Sequence, residues 1–329
     1  MRNYKYYTLA LVLLIVAIFL FFFSNSSGNL NPRNSQFSVE NTSKVLEIRI
    51  IDEKNRVILT KENSQWKVNN KFLVKDEIIA NFLQAINRLE ILYPVSKIDK
   101  SQITNLLKRE GVLVEIKKNR FKTLRFFVNP PAMSNDKTYM MMVNSSEPYT
   151  VKIPGFKGLV SHLFIPDETF WRNKLVFNFL PQNISVISVE YHKNPDKSFK
   201  IKNFNDGSFA LSDVNNNPEQ SFNVEKVARY FTYFQNIQFE DVISGWTKEK
   251  VDSILTSEPH IQITVEDING IKNNIKIFQK KSENRIDGFG EKTEFDLNRA
   301  YALLNNNHEL LLIQYYVFDP LLKEIDYFR

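Results

Sequence analysis

The sequence predicts an α+β fold. It reads as a tandem duplication of a unit of antiparallel strands plus a long and a short helix, preceded by one N-terminal transmembrane helix. Three observations predict it. An uncharged apolar run opens the chain. Strand-like and helix-like apolar patterns then follow one another twice. The two sets of positions stand a near-constant distance apart in the 329 residues.

The apolar run comes first. Arg2 and Lys5 precede residues 8–23, which carry no charge. With Tyr4, Tyr6 and Tyr7 the stretch approaches the ~20 residues that a helix needs to cross a bilayer. A cleaved signal peptide competes with this reading, with Ser24-Asn25-Ser26 as its cleavage site. The length of the run and its bulky end, Leu20 to Phe23, favour an uncleaved anchor. The expectation is a single-pass inner-membrane protein, contacting the lipid bilayer through residues 4–23, with its C-terminal part on the extracytoplasmic (periplasmic) side because positive residues stay in the cytoplasm. Residues 24–43, rich in Ser and Asn, read as a linker.

The first repeat is expected over residues 44–181. Leu46, Ile48 and Ile50 alternate with polar residues, and Val57 and Leu59, then Trp66 and Val68, follow. Ile78, Ile79, Phe82, Leu83, Ile86 and Leu89 form a stripe at helical spacing. Asp99 and Gln102 make a capping box for a short helix with Ile103, Leu106 and Leu107 on its apolar side. The second repeat is expected over residues 182–329. Phe82 and Tyr230, Leu83 and Phe231, Ile86 and Phe234, and Leu89 and Ile237 are each 148 positions apart. Ile103, Leu106 and Leu107 map onto Val251, Ile254 and Leu255 at the same offset, and Val112, Val114 and Ile116 onto Ile261, Ile263 and Val265 at 149. In "SQWKVNNKFLVKDE", Trp66 occupies the slot that Phe209 takes in the second copy, so it reads as a packing position before a helix.

Several patterns resemble a known family. "VLEIRIIDEKNRVILTKENSQWKVNNKFLVKDEIIANFLQAINRLEILYPV", "YMMMVNSSEPYTVKIPGF" and "ETFWRNKLVF" are similar to the bacterial "domain of unknown function 4340" family over about residues 44–200. The resemblance implies no established chemistry. It implies, by association with neighbouring transporters, an accessory role at a membrane.

Composition narrows the chemistry. The chain has no cysteine, which excludes disulfides, thiolate nucleophiles and thiolate zinc sites. Net charge is +6, and 4 beyond Arg2 and Lys5 (6 minus 2), spread without a basic block, so no nucleic-acid partner is expected. The histidines His162, His192, His260 and His308 show no metal-ligand spacing, and no phosphate-cradling or nucleophile-elbow motif occurs. No metal and no cofactor is expected. The glycines Gly288 and Gly290 read as a hairpin turn, as does "DING" from Asp267. "PGFKGLVSHLF", from Pro154, reads as a tight turn into a helix end, with a ligand loop as the lesser option.

Trp171 and Arg172 are the candidates for binding, since Trp and Arg are enriched at interaction hot spots. The competing reading makes Trp171 the closure of the first core, with Arg172 capping a helix or pairing with Asp167 or Glu168. The expected function is a membrane-anchored extracytoplasmic binding or scaffold protein, accessory to an envelope transport system, with a protein partner at the membrane. It is not expected to be an enzyme. The alternative is an enzyme acting on envelope polymers through paired carboxylates such as Asp167 and Glu168.

Overall fold

The computed structural model describes residues 11–17, 35–119, 122–133, 136–282 and 293–329. The chain divides into two units, Met1–Asn173 and Lys174–Arg329.

In the first unit a nine-stranded sheet runs in the order β4-β3-β2-β1-β6-β7-β8-β9-β5. Its strands are β1 (Glu47–Ile51), β2 (Arg56–Glu62), β3 (Gln65–Val68), β4 (Phe72–Leu73), β5 (Glu90–Pro94), β6 (Val112–Lys117), β7 (Thr123–Val128), β8 (Thr138–Met142) and β9 (Tyr149–Lys152). Every pairing is antiparallel. Period-two burial decides which face each residue takes. Ile48 and Ile50, Val114 and Ile116, and Met140 and Met142 point into the main core. Helix α1 (Asp76–Asn87) covers that face with Ile79, Phe82 and Ile86. Twelve residues make a marginal helix alone. The three buried side chains, each contributing about 1.5–3 kcal/mol, hold it on the sheet. Helix α2 (Lys100–Glu110) lies near β7 and β8 with Leu107 fully buried. The unit ends in α3 (Glu168–Trp171).

In the second unit, β10 (Leu175–Phe177) pairs with β14 (Ile237–Gln238), which ties residues 175–177 to this unit. The large sheet comprises β11 (Ile184–Tyr191), β12 (Phe199–Asn203), β13 (Phe209–Ser212), β15 (Asp241–Val242), β16 (Ile261–Asp267), β17 (Lys272–Lys281), β18 (Phe295–Leu304) and β19 (Leu311–Gln314). Its order is β13-β12-β11-β16-β17-β18-β19-β15, the order of the first sheet from β3 to β5, strand for strand. Helices α4 (Val224–Phe231) and α5 (Lys248–Leu255) cover its two faces, α4 over the main core and α5 over the smaller cluster of Phe278, Tyr301, Leu303 and Leu310. Helix α6 (Tyr315–Phe318) follows β19.

Two expectations are corrected. The described chain is dominated by antiparallel sheet, not by α+β units built on a long helix: the longest described helix, α1, has 12 residues. The imbalance arises because many strands give weak sequence signals. All three methionines of β8 are buried, since both sheet faces are covered there, so no alternation shows. Strands β4 and β15 have only two residues each.

The second correction concerns the membrane. Among the described residues no helix is long and apolar enough to cross a bilayer. Residues 11–17 are helical and exposed. Seven residues at about 1.5 Å each cover roughly a third of a ~30 Å hydrocarbon layer. The rest of the expected 4–23 span lies outside the described residues. The transmembrane helix is thus not shown, and the inner-membrane, periplasmic-facing location that rested on it loses its support. Gly288 and Gly290 also lie outside the described residues. Within the segment read as a linker, Phe37 and Val39 are buried. Phe37 packs edge-on against Phe126 and Tyr149 at 5.8 and 6.0 Å, and the Val39 N–H donates to Ile86 O.

Candidate functional site

A recess with a defined lining lies beside α1 in the first unit. Residues 81, 84, 85 and 88 recur at helical spacing, so Asn81, Gln84, Ala85 and Arg88 share one face next to the buried stripe. The facing wall is Ile153, Pro154, Gly155, Phe156 and Leu163, and the cavity between them holds about 600 Å³. That is within the usual range for small-molecule sites.

Local sequence builds the facing wall. The Phe156 N–H donates to Ile153 O at 3.0 Å, closing a turn with Pro154 and Gly155 at its centre. Gly155 has φ +77°, the left-handed value that the third residue of such a turn requires. Phe156 is 46% exposed. Its ring lies over Gly158, where an added Cβ would come 2.8 Å from the ring's Cζ. A side chain at 158 would displace the ring, so the second glycine leaves room for Phe156 in this position.

Arg88 ends α1, where a cation complements the carbonyl end of the helix dipole. Its Nη2 donates to Pro154 O at 2.7 Å, which ties the helix end to the turn. Among the described residues no carboxylate pairs with it, and Asn81 and Gln84 make no side-chain hydrogen bond. The lining therefore offers unengaged side-chain amides and a guanidinium bonded to one backbone carbonyl against apolar walls, with no carboxylate, histidine or hydroxyl nucleophile in it. Such an arrangement can recognise a ligand; it holds no group for proton transfer at neutral pH.

The residues singled out from sequence sit elsewhere. Trp171 is fully buried, edge-on to Phe82 at 5.3 Å, with Nε1 donating to Ile165 O at 2.7 Å. Arg172 is 6% exposed, and its guanidinium carbon lies 3.4 Å from the centre of the Phe72 ring. Both side chains pack in the first unit's interior. Asp167 accepts from Thr169 N at 2.9 Å as the cap of α3, and Glu168 accepts from Asn69 Nδ2 at 2.6 Å. Each carboxylate of the proposed catalytic pair is thus engaged in local structure.

Two histidines come together. His192 follows β11 and His260 precedes β16, and the His192 N–H donates to His260 O at 3.2 Å. Nε2 of His192 and Nδ1 of His260 are buried without a partner. Burial first, then the positive charges of Lys193 and His192, lower the His260 pKa from its ordinary value. Glu258 lies 3.9 Å from Nδ1 of His192. Among the described residues no group of three His, Asp or Glu side chains is placed to hold a metal. His162 and His308 are exposed. Asp267 accepts from the N–H groups of Asn269 and Ile271, both at 2.8 Å, as a turn residue.

Sequence reasoning passed over Asn81, Gln84 and Arg88 because a polar stripe beside an apolar one is what any solvated helix shows. The signal was in the second wall: the "PGFKG" turn, where a ligand loop was the lesser option. No protein-family model, curated protein or solved structure matches the chain.

Proposed function

We propose that this chain is a binding protein and that the cavity beside α1 is its ligand site. One observation carries the reading: a cavity of about 600 Å³ whose only charged lining group, Arg88, is held by a backbone carbonyl and pairs with no described carboxylate. The lining combines apolar walls with a few polar groups, the usual make-up of a recognition site. The accessory role that the family resemblance implies accords with a protein that binds a molecule without transforming it.

The test is a thermal-shift panel on the full chain with organic acids, nucleotides, sugars and short peptides, run beside Gln84→Trp. Gln84 is exposed, so the substitution fills the cavity without entering the core. The expected result is a rise in Tm with one ligand class that Gln84→Trp abolishes, since only a ligand of the folded state stabilises it. A panel with no shift, or shifts that survive the substitution, contradicts the reading.

A further inference from the structure

Resting on that reading, we infer that the ligand of the α1 cavity is an amphipathic organic monoanion, a carboxylate seated on Arg88 with an apolar body against Phe156 and Leu163. The polar half of the argument is donor geometry. A guanidinium presents five N–H donors in a planar fork that matches a carboxylate two-by-two. The bond from Nη2 to Pro154 O at 2.7 Å uses one of them and orients the plane. The rest have no described carboxylate to meet. Gln84 and Asn81, respectively one and two turns before Arg88 on the same face, add amide donors without other partners.

The apolar half is the opposite wall. Ile153 is 7% exposed and forms the floor, and Leu163 is half-buried. The Phe156 ring lies close over Gly158 and leaves 46% of the residue exposed. A ligand body laid on this wall buries apolar area on both sides. The charge count selects the anion. The single cation in the lining matches a single negative charge; a phosphate dianion is normally held by several donors and more than one positive group. A cationic ligand would meet Arg88 with nothing to neutralise it.

The test uses the full chain, calorimetry, and three probes with the same alkyl body: decanoate, decanol and decyltrimethylammonium. Decanoate is expected to bind tightest. Arg88→Gln is expected to weaken it roughly tenfold to a hundredfold, the loss typical of a hydrogen bond to a charged group, and to leave decanol unchanged. Arg88→Lys, which keeps the charge and loses the fork, is expected to fall between the two. Circular dichroism confirms that the variants fold. Equal binding of decanoate to wild type and Arg88→Gln, or binding of decanol or the ammonium probe as tight as decanoate, overturns the inference. If that binding still disappears in Gln84→Trp, the cavity remains the ligand site and only the anion assignment fails. No heat from any of the three overturns the inference alone, because the wider panel tests the binding reading.

Discussion

At the residue scale, Trp171 shows how a side chain that reads as a recognition anchor can be structural. Its ring meets Phe82 edge-on, and its N–H satisfies Ile165 O inside the core. Trp171→Ala is expected to cost about 3–5 kcal/mol, the range for removing a large buried aromatic, measured by urea unfolding of the full chain. A cost near zero would return Trp171 to the surface. His260 gives a second prediction. Its pKa is lowered from 6.5, chiefly by burial. The unfolded chain therefore takes up the proton before the folded one. Stability is complete above the unfolded value and falls as pH drops below about 6.5, levelling off once the folded group titrates. His260→Gln is expected to flatten the decline of Tm between pH 7 and 5.5; an unchanged decline would assign it to other groups. Of the two readings the sequence offers for Trp171, core closure is the one that its burial matches; the role of His260 was not legible in the sequence. The lone Trp beside an Arg carried the composition of a hot spot, and burial is set by partners such as Phe82 and Ile165 that sequence spacing does not bring together.

At the element scale, helices were easier to read than strands. The stripe from Ile78 to Ile86 lies in α1, with Leu89 two residues past its end, because 3.6-residue spacing over several turns has few rival explanations. The strands β6 and β16 also announced themselves, with one face polar and one apolar. Strand β8 did not, since Met141 is buried on the opposite face from Met140 and Met142. Sheet content is harder to read from the sequence for that reason. The same logic orders local stability. β1 is paired on both sides, by β2 and β6, and its inward residues are fully buried, whereas β5 is an edge strand with Leu92 and Tyr93 exposed. Hydrogen exchange in the folded chain is expected to be slowest at the amides of Ile48, Ile50 and Val114 and much faster along β5. Comparable rates in the two strands would contradict this order. The cavity belongs to this scale too. Its helix wall was visible only as a solvated face, and the facing turn was visible as "PGFKG". Their juxtaposition depends on Arg88 reaching Pro154 O across 66 positions of sequence.

At the scale of the whole molecule, the two units carry separate cores. The cluster around Phe82 draws only on residues 37–171, and the cluster around Tyr230 only on residues 176–328. Each unit closes itself in the same way. The residue before its core helix donates its N–H to the carbonyl of a late buried aromatic: Lys75 to Trp171 O at 3.0 Å, and Asn223 to Phe328 O at 2.7 Å. The recurrence of apolar positions 148 apart, readable in the sequence, is matched by the starts of α1 and α4 and of α2 and α5, which are also 148 apart. A chain of residues 174–329 alone is expected to melt cooperatively with sheet-rich circular dichroism, because its core needs no side chain from the first unit. Failure to fold would show that the second core depends on the first. The membrane expectation belongs to this scale as well. It rested on composition over residues 4–23, and the described helix of residues 11–17 is too short to carry it.

Amide chemical-shift mapping of the ¹⁵N-labelled full chain during a decanoate titration tests whether the cavity beside α1 takes a ligand. The expected result is saturable shifts at Asn81, Gln84, Arg88, Gly155 and Gly158, with the second unit unmoved. Shifts scattered over both units, or concentrated in residues 174–329, would contradict it.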